Sequence, residues 1–129
     1  MRKHTTALAA TVALLVLCSG AVALGQAAGQ KQNPFTGDPA AIKEGRALYI
    51  QHGCSGCHGV MGGGGMATPI SDDAWRFGSS DEVLFRLIKG GIAESTMPKL
   101  WQGLADEQVW KILAYTRSVY TGDPSKADW

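Results

Sequence analysis

Cys54-Ser55-Gly56-Cys57-His58 places two thiols two residues apart, with an imidazole directly behind the second. Two thiols at that spacing can each add to one vinyl group of a single haem. The imidazole then lies under the iron as proximal ligand, so C-x-x-C-H is the attachment pattern of a c-type haem. Two other readings use the same residues. A redox dithiol needs a βαβ setting, whereas the flanks here are glycine-rich with no strand pattern nearby. A structural zinc needs four protein ligands. Beyond residue 25 only His52, Cys54, Cys57 and His58 are available, packed too closely in the chain for a tetrahedron. The haem reading stands.

An iron held by His58 needs a sixth ligand or keeps an open face. Met61, Met66 and Met97 compete for the place. Met61 and Met66 lie in the glycine-rich loop that leaves the proximal ligand, with little chain to reach the opposite haem face. Met97 follows His58 by 39 residues, and Pro98 stiffens its loop. A lone Met is more often packing than ligand, but here a metal wants one, and Met97 is the expected ligand. Trp75, Arg76 and Trp101 offer donors for the haem propionates, because buried carboxylates need them. Each reads equally well as a packed aromatic or a solvated cation.

The 129 residues suffice for one domain. Residues 1–25 read as a secretory signal: Met1-Arg2-Lys3-His4 is basic, Ala7 to Leu24 is apolar and uncharged, and small residues crowd its end. The apolar run is about 18 residues, so a retained membrane anchor is the alternative to cleavage. Cys18 within it reads as an ordinary hydrophobe. Export implies a periplasmic location, where covalent haem is assembled. Without Arg2 and Lys3 the chain carries 10 basic and 11 acidic residues, and no basic stripe points to nucleic acid.

The elements that must hold these groups follow in order. Residues 26–37 are polar and read as a mobile lead-in. Asp38-Pro39 starts a helix that runs to about His52, with Ile42, Gly45, Leu48 and Tyr49 on one face. Gly45 costs nearly 1 kcal/mol there against Ala, unless a second backbone crosses close by. Gly59 to Gly65 holds five glycines and reads as a loop wrapping something closely. Asp72 to Phe77 reads as an irregular segment. Ser79-x-x-Glu82 is a capping box for a helix bearing Val83, Leu84, Leu87 and Ile88, stopped by Gly90-Gly91. A last helix over about Asp106 to Tyr120 presents Val109, Ile112, Leu113 and Thr116, with Ala105 as a poor N-cap. Residues 122–129 read as an irregular tail. No strand pattern is present, so the fold class is all-α.

With these elements in place the chain resembles the class I monohaem cytochromes c. The resemblance rests on Gly45-x-x-x-Tyr49, Cys54-Ser55-Gly56-Cys57-His58-Gly59, Met97-Pro98 and Tyr115. It implies a small cytochrome c fold over residues 38–121, with three main helices and loops wrapped around one covalent haem c. It also implies that the first and last helices cross, which accounts for Gly45. In the family, Gly-Pro-x-Leu follows the haem motif, and the proline carbonyl accepts the proximal histidine's Nδ1–H. Aligning Ile70 with that leucine puts Thr68 in the proline's place and Pro69 one position late. A carbonyl survives any side chain, so Thr68 is expected in the role, with Pro69 as second choice. Tyr120-Thr121-Gly122-Asp123-Pro124, Trp129 and Asp73-Ala74-Trp75 are similar to cytochrome cL and related acceptors of periplasmic quinoprotein alcohol dehydrogenases.

The resemblance implies a monomeric one-electron carrier, not an enzyme, that meets redox protein donors and acceptors transiently and passes electrons toward a terminal oxidase. Its contact surface is expected at the haem edge near Cys54, Gly62 to Met66 and the Met97 loop. Two alternatives remain at this stage. One is a haem enzyme or gas-binding cytochrome with an open sixth site. The other is a membrane-anchored cytochrome subunit of an oxidase or dehydrogenase complex.

Overall fold

The computed structural model describes residues 31–129, so the expected signal, Cys18 and the start of the lead-in lie outside the described residues. Asp38 takes an extended backbone, and its carboxylate accepts the N–H groups of Ala40 and Ala41 at 2.8 and 3.2 Å. With Pro39 at the first helical position, helix α1 runs Pro39–Gln51. Its inward residues are Ala41, Gly45 and Tyr49, while Ile42 and Leu48 pack at the margin of the core.

Helix α1 lies against the last helix. A Cβ built on Gly45 would stand only 1.9 Å from the Lys111 carbonyl oxygen, so two helix backbones meet there and only glycine fits. That last helix, Asp106–Ser118, is buried along Val109, Ile112, Leu113 and Thr116. It also buries Trp110, Ala114, Tyr115 and Arg117, a wider apolar contact than one amphipathic stripe. Ala105 offers its N-terminus no side-chain acceptor. Gln108 reaches back instead, its Oε1 accepting the Ala105 N–H at 3.2 Å.

The structure departs from the sequence reading in four places. Cys54–His58 forms a short helix of its own, set off from α1 by Gly53 in the left-handed region at φ 75°. We number it α2, the Asp81–Ile88 helix α3 and the Asp106–Ser118 helix α4. The cap of α3 is Ser80, one residue later than the expected Ser79; its hydroxyl accepts the Val83 N–H at 3.4 Å. Ser79 Oγ is bound to Asp128. The lead-in is tied down from Asn33, whose N–H donates to Asp81 at 2.7 Å and whose side-chain amide donates to the Trp110 carbonyl at 2.8 Å. The tail is ordered too. It forms a 3₁₀ turn over Pro124–Lys126 and lays Trp129 edge-on against Tyr120 and Trp75.

Two groups of buried side chains make the core. Tyr49, Cys54, Ile112 and Tyr115 pack where α1, α2 and α4 meet, and Leu84, Val109, Trp110 and Leu113 pack between α3 and α4. Phe85 stacks on Trp110 with ring centroids 4.4 Å apart. Among the described residues there is no strand, and no helix is long and apolar enough to cross a membrane.

Candidate haem-binding site

Between these layers lies a cavity of about 490 Å³, within the range of small-molecule and cofactor sites. Ile70, Leu84, Leu87, Ile88, Ile112 and Leu113 give it apolar walls. Cys54, Cys57 and His58 face it from α2, and Thr68 and Pro69 from the loop that follows. Trp75 and Arg76 stand on a third side, and Met97 and Trp101 on a fourth segment. All nine residues expected to hold the haem, Met97 among them, therefore line one cavity. A flat apolar group with two reactive carbons, one metal and two carboxylates matches such a lining.

The loop after α2 is folded back on it by main-chain bonds. Gly64 N–H donates to the His58 carbonyl at 2.8 Å, Ala67 N–H to the Cys57 carbonyl at 2.9 Å, and Ile70 N–H to the Gly62 carbonyl at 2.8 Å. Gly59, Gly62 and Gly64 all have φ between 73° and 91°, which side chains rarely tolerate. Two tyrosines clamp the start of this loop from the crossing helices. Tyr49 Oη donates to the Gly59 carbonyl at 2.8 Å and Tyr115 Oη to the Val60 carbonyl at 2.6 Å, with their rings 5.2 Å apart. Burial, together with the neighbouring Cys54 thiol, pushes the Tyr49 hydroxyl well above the ordinary tyrosine range, so it stays a donor.

His58 Nδ1 lies 2.8 Å from the Thr68 carbonyl oxygen. A carbonyl can only accept, so the proton sits on Nδ1 and the lone pair on Nε2 is free for a metal. Among the methionines, Met97 is half-buried, with its N–H donated to Ser95 Oγ at 3.1 Å. Met66 touches the cavity rim but is 84 % exposed, and Met61 is 61 % exposed and lies outside the lining, its sulfur near Tyr115 Oη.

The three propionate candidates separate. Trp75 Nε1 is buried, has no partner, and belongs to a ring on the cavity wall, a donor waiting for an acceptor. Arg76 is exposed and lies over the Phe77 ring at 5.1 Å. Trp101 is a correction: its N–H donates to the His52 carbonyl at 3.0 Å, which leaves nothing for a propionate. It serves as an apolar wall and ties the Met97 loop to the end of α1. The orphaned Trp75 N–H, the paired thiols and the apolar walls together fit a haem.

Comparison with known proteins agrees. Residues 40–115 match the family model described as cytochrome c oxidase, cbb3-type, subunit III. The crystal structure of cytochrome cL from the marine methylotrophic bacterium Methylophaga aminisulfidivorans MPT is similar, at 37 % identity and a TM-score of 0.69, over 76 % of this chain and 68 % of that one. Cytochrome cL from Hyphomicrobium denitrificans is similar at 31 % identity and a TM-score of 0.66, over 74 % of this chain and 57 % of that one. No curated protein matches. The chain belongs to the cytochrome c family, through its cbb3-type cytochrome c domain, and Cys54 and Cys57 hold its haem c covalently.

Proposed function

We propose that this cytochrome is an exported one-electron carrier whose iron is held by His58 and Met97. It takes electrons from a quinoprotein alcohol dehydrogenase and passes them toward a terminal oxidase. The observation that carries this reading is that His58 and Met97 face the same cavity from separate segments, His58 with its Nε2 lone pair free. The bound haem supplies reversible one-electron chemistry at iron. The protein's part is to orient and to insulate. Thr68 fixes the tautomer and ring of His58, the glycine loop closes over the proximal side, and the Trp101 bond holds the Met97 loop. A thioether ligand raises the potential, and a filled coordination sphere leaves no position for a substrate. Exposed Met66 on the cavity rim, with exposed Leu100 in the segment after Met97, suits a small, transient redox contact of under about 1,200 Å².

Carbon monoxide tests the ligation. Reduced wild-type protein is expected to bind it poorly, and reduced Met97→Ala to bind it readily at a lower potential with haem attachment intact. Rapid binding by the natively folded wild type would transfer the reading to an open-site haem enzyme or gas-binding cytochrome.

The family match favours one further reading, a fixed cytochrome subunit of a membrane oxidase. The mass of the mature protein separates the two: a carrier has lost residues 1–25, whereas an anchored subunit keeps them.

A further inference from the structure

Met97 belongs to a segment with few polar ties to the rest of the molecule. Gly91 N–H donates to the Arg86 carbonyl at 2.7 Å, and Arg86 Nη2 returns a bond to the Gly91 carbonyl at 3.4 Å, so the segment leaves α3 folded against its last turn. Where it enters α4, Lys89 Nζ donates to the Leu104 carbonyl at 2.6 Å and pairs with Asp106 at 3.2 Å, which draws the two ends together. Within the segment, Ser95 N–H donates to the Ile92 carbonyl, Met97 N–H to Ser95 Oγ, and Leu104 N–H to the Trp101 carbonyl. Among the described residues a single hydrogen bond joins residues 91–104 to the part of the chain that carries the thiols. It runs from Trp101 Nε1 to the His52 carbonyl at 3.0 Å.

The place of that bond matters. His52 caps the C-terminus of α1, and only Gly53 separates it from Cys54. The junction is sheltered, since Nε2 of the His52 ring is buried there without a partner. Met97 and Trp101 both face the cavity, while Lys99 and Leu100 between them are exposed, so the chain arches outward from one to the other. We propose that Trp101 is a positioning residue for Met97: its indole bond to His52 fixes the sixth-ligand segment to the chain that bears the haem, and so sets how long the thioether stays on the iron. This rests on the reading above that Met97 is that ligand. A segment with one polar tether opens by breaking one bond, and each opening offers the iron to another ligand. An external ligand then binds in proportion to the open fraction. Losing the bond leaves a sheltered carbonyl unsatisfied and should shift the balance about fivefold or more toward the open segment.

Imidazole added to the oxidised holoprotein is the probe, since it takes the sixth position only when Met97 has left. Trp101→Phe keeps an aromatic wall and removes the N–H. Its apparent imidazole affinity should rise about fivefold or more over wild type, and backbone amide exchange across residues 92–100 should quicken. Trp110→Phe makes the same truncation in the core beside Phe85, and should lower the melting temperature with imidazole affinity unchanged. Met97→Ala gives the affinity of an open iron. In the wild type the Trp101 indole proton should exchange slowly with solvent, which NMR on the reduced protein reads without any substitution. A Trp101→Phe affinity within about twofold of wild type, an equal rise in Trp110→Phe, or fast indole exchange in the wild type each overturns the tether. Wild type that binds imidazole as tightly as Met97→Ala overturns the ligation reading, and this inference with it. Weak binding by the wild type beside an unchanged Trp101→Phe overturns this inference alone.

Discussion

Thr68 meets His58 through its main-chain carbonyl, an atom that any substitution preserves. Thr68→Ala is therefore expected to leave the visible spectrum and potential unchanged, with stability within about 0.5 kcal/mol of wild type in a thermal melt. Met97→Ala should cost about 2 kcal/mol or more even before the loss of a metal bond, because a partly buried side chain is cut back. Met66→Ala, at an exposed position, should cost almost nothing. At this scale the sequence was informative wherever chemistry demands a residue type at a fixed spacing, as in Cys54, Cys57 and His58. It was silent on Arg117, because a lone arginine in an amphipathic pattern reads as solvated. Only the approach of Asp81 from another helix shows that it is buried.

Helix α1 was legible because its start is written in local residues, Asp38 and Pro39, and its contact in Gly45. Gly45→Ala pushes a methyl into the Lys111 carbonyl and should destabilise by roughly 1–3 kcal/mol or more, read as a fall in melting temperature. Ala105→Ser should act the other way by about 1 kcal/mol, since α4 has no side-chain cap at that end. The cap of α3 was placed one residue early for a physical reason. Two serines stand in tandem, either could cap, and the choice is made by the tail, where Asp128 binds Ser79 and leaves Ser80 to the helix. The helical turn at Cys54–His58 was missed because five residues give no periodicity to read.

On the scale of the whole molecule the tail is the least legible part, since every bond that orders it is long-range. Tyr120 donates to the Asp73 carboxylate, which also accepts the Asp123 N–H at 3.0 Å and pairs with Lys126 at 3.3 Å. The bond from Tyr120 holds the Asp73 carboxyl below the usual carboxylate range, and the same bond pushes the Tyr120 hydroxyl up to about 12. The lowered acid contributes stability above its ordinary value, near pH 3.9, and loses it as pH falls through the folded value. The raised phenol contributes below its ordinary value, near pH 10, and loses it as pH rises through about 12. Carboxypeptidase digestion should thus release Trp129 faster at either extreme, and Tyr120→Phe should remove the alkaline limb. The burial of Cys54 carries a different consequence, one of timing. It is 9 % exposed, and burial pushes its thiol above the ordinary range, so in the closed fold it is a weaker nucleophile that can be reached only from the cavity. The thioether at Cys54 should then form faster before α1 and α4 close over it than afterwards. Maturation is then expected to favour one order, with the cofactor going onto an open chain and the fold completed around it; slower haem attachment to refolded than to unfolded apoprotein would check it.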